Sequence, residues 1–167
     1  MAVVTTKSAQ VTNRDATPNV LNNPNDGAEG RVRSVFGKVA AVNGDSIASK
    51  YVFAGIPSNA RITSVRLYSA AFGVGAAADV GVYRNTDDGG AVVDADFFGS
   101  AIDVATAVNG TEISHESGVY TIAKREQPLW EAAGLTADVF STLDVVATLT
   151  GAAAASGDIG VHIDYVV

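Results

Sequence analysis

The sequence contains no cysteine, and its 167 residues include two histidines, four prolines, one methionine and one tryptophan. Without cysteine there can be no disulfide bonds, thiolate metal sites or cysteine nucleophiles. No apolar run approaches the ~20 residues of a membrane-spanning helix, and residues 1–11 lack the apolar stretch of a secretion signal. We therefore expect one soluble domain, made in a cytoplasm and without a membrane partner.

Positive charge is also scarce, since 11 basic residues face 18 acidic ones and the net charge is −7. This balance argues against nucleic acid as a partner, because such binding relies on Lys and Arg displacing counterions. Residues 1–66 carry eight basic and four acidic groups, a net charge of +4, whereas residues 67–167 carry three basic and 14 acidic groups, a net charge of −11. The split predicts that the front part contacts an acidic surface, including that of a neighbouring copy.

Branched aliphatic residues are abundant instead, with 24 Val and 8 Ile against 6 Leu. Branching at Cβ favours strands over helices. Residues 159–167 alternate apolar and polar side chains with a period of two, which is typical of a half-buried antiparallel strand. The composition and this period predict an all-β domain.

Turn-forming residues separate several further segments of this kind, which suggests a β-sandwich or barrel. One short helix is predicted near residues 128–133, with Pro128 at its first turn and Gly134 after its end. The predicted strands are 31–42, 47–54, 65–71, 79–83, 91–104 (broken near Gly99), 118–123, 143–150 and 159–167.

The first 30 residues show no sustained period and are rich in Asn, Asp, Thr and Pro. We expect residues 1–30 to be an extended arm and residues 31–167 to be a single β-sandwich domain. A disordered leader with scattered charge is the simpler alternative. If the arm recognises an acidic partner or another subunit, Arg14, Arg31 and Arg33 are the candidate contact residues.

Two patterns in the sequence resemble known binding motifs, but each lacks a feature that its motif requires. Residues 73–78 match the spacing of a dinucleotide-binding loop, yet a strand follows them where the helix that receives the pyrophosphate would be required. Carboxylates at positions 87, 88, 94, 96 and 103 could supply oxygen ligands to Ca²⁺, but their spacing does not match the twelve-residue calcium loop. A solvated acidic face is the expected role of Asp87, Asp88, Asp94 and Asp96, and cation binding there stays open. We expect no cofactor and no metal.

No catalytic residue is assigned. His115 and His162 lie in different settings, and the chain has no Gly-x-Ser-x-Gly elbow. The segment Asn109-Gly110-Thr111 matches a glycosylation sequon, but without a secretion signal a hairpin turn is the preferred interpretation.

Several segments together resemble the head decoration, or cement, proteins of tailed bacteriophages. The resemblance covers residues 30–167 and consists of structural turns and strands. It rests on residues 30–37, 44–51, 56–62, 78–84, 89–96, 129–131 and 134–135.

This resemblance implies a jelly-roll β-sandwich, often trimeric, that binds the major capsid protein outside the head and stabilises the shell. The implied location is the capsid surface of the virion, after synthesis in the cytoplasm of a host bacterium. A receptor- or sugar-binding β-domain of a phage tail or fibre is the alternative. A cupin-like enzyme on the same architecture is a third hypothesis, disfavoured because a metal cupin needs several converging histidines.

Overall fold

The computed structural model describes residues 7–18, 20 and 31–167, which contain eight strands, two α-helices and two short 3-10 helices. All paired strands run antiparallel. The strands are β1 (Val32–Ala41), β2 (Lys50–Pro57), β3 (Arg61–Ser69), β4 (Ala77–Arg84), β5 (Val92–Asp103), β6 (Val108–Glu112), β7 (Thr142–Gly151) and β8 (Gly157–Val166).

The strands form two four-stranded sheets that pack face to face. The first sheet has the order β1-β8-β3-β6, and the second has the order β2-β7-β4-β5. Strands that neighbour in sequence therefore alternate between the sheets, apart from β4 and β5, which pair within the second. Eight strands in this order form the two Greek keys of a jelly roll. The expected all-β sandwich of jelly-roll type is confirmed.

Alternating side chains fill the space between the sheets. Ile159, Val161 and Ile163 of β8 are fully buried, as their period of two predicts. From the facing sheet, β7 contributes Leu143, Val145, Ala147 and Leu149. The break predicted near Gly99 is a bulge within β5, where the register jumps between the pairs Val82–Asp94 and Val80–Gly99. Phe97 and Phe98 of this bulge pack in the core against the ring of Tyr120.

The antiparallel strands place their connecting loops at two opposite ends of the sandwich. We call one end the tip; it comprises loops 42–49, 70–76, 104–107 and 152–156. The other end, the base, comprises loops 58–60, 85–91 and 113–141. The chain enters the sandwich at the base, where β1 begins.

Residues 108–112 are a strand that the sequence analysis does not predict, and the hairpin turn expected at Asn109-Gly110 is wrong. The two residues lie inside β6, opposite β3. The register shifts there, from Leu67–Thr111 to Tyr68–Asn109, so Gly110 is the extra residue of a β-bulge. Its φ of 74° explains why glycine occupies that position.

The strand predicted at residues 118–123 is also wrong. This segment consists of turns and the 3-10 helix Ile122–Lys124. Its apolar run is short, and Tyr120 leaves the surface to bury its ring in the core. The Tyr120 hydroxyl donates a hydrogen bond of 2.8 Å to the carbonyl oxygen of Ile62. One buried side chain therefore fixes the segment without strand pairing.

Helix α2 (Leu129–Ala132) lies where a short helix is predicted, with Pro128 as its N-cap and Gly134 in the left-handed region. Leu129 is buried, and its N–H donates to the Ala60 carbonyl, so the helix is fixed on loop 58–60. Helix α1 (Ala9–Asp15) is capped by Ser8 and lies in the arm, where the lack of period predicts no helix. In the described ranges neither helix has the length or hydrophobicity to cross a membrane.

Candidate functional site

The outer face of the first sheet carries rows of polar side chains drawn from its four strands. Every second residue of a strand points away from the core, and the register aligns these residues in rows. One row begins with Ser34 of β1, and the next two begin with Phe36 and Lys38. Across β8, β3 and β6 the rows are Ser34-Asp164-Ser64, Phe36-His162-Arg66-Glu112 and Lys38-Gly160-Tyr68-Asn109.

Ion pairs on this face join the basic front part of the chain to its acidic back part. Arg66 lies 3.7 Å from a Glu112 oxygen and 4.0 Å from an Asp164 oxygen, while Lys38 Nζ lies 2.7 Å from Asp158. The sheet order explains this, because β8 inserts between β1 and β3. Part of the attraction that the charge split predicts between copies therefore occurs between the two parts of one chain.

Glu112 is the best-connected carboxylate of this face. Its oxygens accept hydrogen bonds from the Ser64 hydroxyl at 2.6 Å, the Val65 N–H at 3.1 Å and both the hydroxyl and N–H of Ser114. Partial burial is the largest single influence and raises the pKa of Glu112, but these hydrogen bonds together lower it below its ordinary value. Glu112 is thus a negative group that ties the β3–β6 edge together.

Ser34, His162 and Asp164 contain the residue types of a catalytic triad but not its geometry. The Ser34 hydroxyl lies 2.5 Å from His162 Nε2, and an Asp164 oxygen lies 3.7 Å from the same nitrogen. In a triad the carboxylate binds the opposite ring nitrogen and thereby orients the imidazole toward the serine. Here both groups approach one nitrogen, which differs from the arrangement of a triad.

The other histidine lies at the base. His115 stacks on the ring of Tyr120 at 5.3 Å between centroids, and its Nδ1 hydrogen-bonds the Tyr120 carbonyl oxygen. Arg125 Nη1 lies 3.3 Å from its Nε2. The two histidines therefore do not converge on one site, which a metal cupin would require.

An aromatic pair interrupts the polar rows of the first sheet. The rings of Phe36 and Tyr68 meet edge to face, 5.8 Å apart, across the strand that separates them. They can meet because Gly160 lies between them; a Cβ atom there would lie 2.6 Å from the Gly37 carbonyl oxygen and 3.2 Å from the Phe36 ring. An open depression of about 280 Å³ adjoins the pair and is lined also by Lys38, Asp158 and Asn109.

Two of the three arginines assigned to contacts lie where the chain enters the sandwich. Arg31 and Arg33 are exposed at the start of β1, and neither forms an ion pair within the described part of the chain. Arg14 belongs to α1, but its side chain lies outside what the structure describes. The point where the chain enters the sandwich, beside the base, therefore carries two accessible guanidinium groups.

The acidic residues of the β4–β5 connection do not form one cluster. Asp88 pairs with Arg84 at 2.5 Å, and Asp94 contacts Asp96 instead. Partial burial, followed by the neighbouring Asp96, raises the pKa of Asp94. No group of three or more His, Asp or Glu side chains in the described ranges is arranged to hold a metal ion. The glycine segment at 73–78 runs from a tip loop into β4, so a strand follows it as expected.

The sequence analysis misses the polar rows because they depend on strand pairing. The alternation of residues 160, 162 and 164 is visible in the sequence, but their neighbours 34, 36 and 38 lie more than 120 positions away. Only the β1–β8 register brings the two sets together.

Comparison with known proteins identifies relatives of this structure but not of this sequence. Neither a protein-family profile nor a curated protein sequence matches the chain. A solved chain of the cyanophage Pam1 capsid asymmetric unit is similar over 92% of this chain and 96% of its own length, with 19% identity and a TM-score of 0.53. A chain of the acid-stable capsid of Helicobacter pylori bacteriophage KHP30 covers 83% of this chain and 93% of its own length, with 14% identity and a TM-score of 0.42. The similarity to the Pam1 chain shows that this protein and the Pam1 chain share a fold along almost their whole lengths.

Proposed function

We propose that this chain is a non-enzymatic structural protein of a tailed-bacteriophage virion, bound outside the head as a decoration or cement protein. The observation that carries the proposal is the end-to-end fold similarity to a chain of a phage capsid. Because the similarity covers 92% of this chain and 96% of that chain, the two share one architecture over nearly all of their lengths. It would be synthesised in the cytoplasm of the host bacterium and would reside on the capsid surface.

The chemistry of the outer face supports a role without catalysis. Its basic groups Lys38 and Arg66 are paired with carboxylates, and its serine–histidine contact lacks the orientation that activates a nucleophile. A shell-stabilising protein needs a rigid domain and contact surfaces. A jelly roll whose outer-face basic groups are paired with carboxylates can supply both.

The proposed partner is the major capsid protein, contacted by the base and the arm. Arg31 and Arg33 are accessible there and have no carboxylate partner among the described residues. We expect them to pair with acidic groups of the shell, and Arg14 of the arm would extend the same contact. A homotrimer at threefold positions would multiply this attachment, because linked sites bind more tightly than one site alone.

Electron microscopy of intact particles that contain the protein tests this function. We expect jelly-roll density on the outside of the head, in groups of three. Density confined to the tail or a fibre would refute the decoration role.

Attachment can be tested with heads that lack the protein. We expect the variant R14A/R31A/R33A to bind them about tenfold more weakly or worse, because guanidinium groups at an interface contribute attraction and specificity. The matched control is Lys38→Ala, since Lys38 is exposed but paired with Asp158. Deletion of residues 1–30 should weaken binding while leaving the melting temperature of the sandwich nearly unchanged. Undiminished binding by both altered proteins would exclude the proposed contact.

A receptor- or sugar-binding role in a tail or fibre is a second candidate, favoured by the depression beside Phe36 and Tyr68. An exposed aromatic ring next to Lys38, Asp158 and Asn109 offers a stacking surface and hydrogen-bonding groups to a glycan. Binding on a glycan array that is lost in Phe36→Ala and kept in Val52→Ala would favour this role. Val52 is a matched control because it is similarly exposed on the other sheet.

A further inference from the structure

We propose that the tip is the surface through which copies of this chain associate with one another. The inference rests on the proposed function, that of an oligomeric virion protein, and identifies the surface through which its subunits contact one another. Four observations carry it: exposed apolar side chains, loops bonded to one another, a low density of charge, and a suitable size.

Apolar side chains protrude from the tip. Val74 is 98% exposed, Ile47 63% and Val42 59%. Isolated exposed apolar residues are common on protein surfaces, but these three share one end of the sandwich with a set of exposed alanines. The alanines are Ala48, Ala71, Ala107, Ala152 and Ala154.

Hydrogen bonds between main chains fix the four tip loops side by side. The Gly44 N–H donates to Ala153 at 2.9 Å, which joins loop 42–49 to loop 152–156. The Ala154 N–H donates to Phe72 at 2.8 Å, and the Gly73 N–H donates to Ala105 at 3.2 Å, which adds the other two loops. The apolar groups are therefore held on a preformed surface, and association would cost little loop ordering.

The tip is almost free of charge. Twenty of its 24 residues are exposed or half-buried, yet its one ionisable side chain is Asp45. That carboxylate already accepts hydrogen bonds from the Val42 N–H at 2.9 Å and the Tyr51 hydroxyl at 2.8 Å. The 39 residues of the base, in contrast, include nine acidic, basic or histidine side chains.

This difference favours a second copy as the partner of the tip. Each chain carries a net charge of −7, so two copies repel wherever carboxylates face each other. At the tip that cost is small, because Asp45 is the one carboxylate in its loops and Asp103 lies at its border. An apolar surface can also meet another apolar surface in any orientation, so it suits the heterologous subunit contacts of a trimer as well as a twofold interface.

The size of the tip fits the same role. A standard specific interface takes roughly 20–30 residues and about 800 Å² from each partner. The 20 accessible tip residues reach the lower end of that range. Association through the tip also leaves the base, with Arg31 and Arg33, free for the shell.

The test introduces charge at the tip without disturbing the core. The variant I47K/V74K changes two side chains that are already exposed, so the fold should be retained, as circular dichroism and the melting temperature can verify. The matched control is Ile122→Lys, because Ile122 is 86% exposed but lies at the base. Sedimentation velocity of the full chain from about 1 to 100 µM gives the dissociation constant of the oligomer.

We expect the wild-type chain and Ile122→Lys to form the same oligomer, and I47K/V74K to dissociate with a constant at least about 30-fold higher. The inference is overturned if the wild-type chain is a monomer throughout, or if the double variant assembles like the wild type. It is also overturned if I47K/V74K remains oligomeric but no longer binds heads, since the tip would then face the shell.

These outcomes are distinct from failure of the proposed function. An oligomer that dissociates in I47K/V74K but never appears in virions would refute the virion role and leave the tip interface in place. A monomer found on the head would refute the tip interface and leave the virion role in place.

Discussion

The two ends of the sandwich are built in different ways although the same eight strands connect them. At the tip, short loops bond to one another through their main chains, as in the Gly44–Ala153 and Ala154–Phe72 pairs. At the base, main-chain bonds such as that from the Leu129 N–H to Ala60 also join the loops, but side chains add to them: Tyr120 bonds to Ile62, and Ser58 bonds to Asp138 at 2.5 Å. The base therefore uses polar side chains in addition to main-chain bonds, and the tip relies on fewer of them.

This difference has a consequence for function. Loops held by their main chains leave side-chain positions free, so small and apolar residues can occupy the surface without loss of structure. Loops held by side chains keep charged and polar groups at the surface, where they can also meet a charged partner. The tip thus suits contact with an identical chain, and the base suits contact with a different one.

Replacement of Phe72 by alanine should have the largest effect. Its ring is fully buried beneath the tip, and its main chain bonds to both Val104 and Ala154. Phe→Ala in a core lowers the free energy of unfolding by about 3–5 kcal/mol. We expect a loss of this size in chemical denaturation, together with weaker self-association, because the loops above the cavity lose their support.

Leu129→Ala is the matched change at the base. Leu129 is equally buried, and its truncation should cost about 2–5 kcal/mol. Measured under conditions in which both variants remain folded, it should leave self-association intact. Equal loss of assembly in the two variants would show that the ends do not differ in the way we infer.

The sequence predicts the strands better than their partners. The period of two at residues 159–167 locates β8, since one of its faces is buried and the other is not. It does not reveal that β8 lies between β1 and β3, because that order depends on long-range pairing. Strand β6 is missed for a local reason: Asn109-Gly110 is typical of a hairpin turn, and the same φ freedom of glycine serves a bulge.

The functional surfaces are harder to predict for the same reason. The row Phe36-His162-Arg66-Glu112 draws on four strands, and the tip draws on four loops that are far apart in the chain. Val74 and Ile47 carry no motif of their own. The arginines at 31 and 33 could be proposed from the sequence because the excess of basic residues in its front part can be counted without knowledge of the fold.

Removal of one hydroxyl at the base should have an intermediate effect. In Tyr120→Phe the ring stays, but the Ile62 carbonyl loses a donor in a buried setting, which should lower the free energy of unfolding by about 1–2 kcal/mol. Burial also raises the pKa of Tyr120 to about 12, so between pH 10 and 12 the unfolded state ionises first and stability falls as the pH rises. The variant should lack this contribution to the alkaline loss.

Tyr165→Phe is the control for that measurement. Tyr165 is half-buried, and its hydroxyl forms no hydrogen bond within the described ranges. We expect denaturation curves of this variant to overlay those of the wild type near neutral pH. If Tyr120→Phe and Tyr165→Phe lowered the free energy of unfolding equally, the Tyr120–Ile62 hydrogen bond would not stabilise the base.

Asparagine in place of Asp45 should have the smallest effect, a slight loss of stability near neutral pH together with an altered response to acid and alkali. The Val42 N–H and then the Tyr51 hydroxyl hold the pKa of Asp45 below its ordinary value. Its contribution to stability is therefore complete above a pH of about 4 and is lost as the pH falls through the lowered folded pKa. Asp45→Asn retains a carbonyl oxygen as acceptor but has no proton to gain, so protection of the Val42 amide from hydrogen exchange should no longer weaken in acid.

The same variant makes a second change on the alkaline side. Burial, followed by the hydrogen bond to Asp45 and its negative charge, raises the pKa of Tyr51. Without that charge one tyrosine should ionise at a lower pH, which phenolate absorbance can record. Asp158→Asn is the control, because Asp158 pairs with Lys38 on the outer face and lies apart from Tyr51. If both variants keep the wild-type acid dependence and tyrosine titration, the carboxylate of Asp45 does not stabilise the tip, and main-chain bonds between its loops suffice.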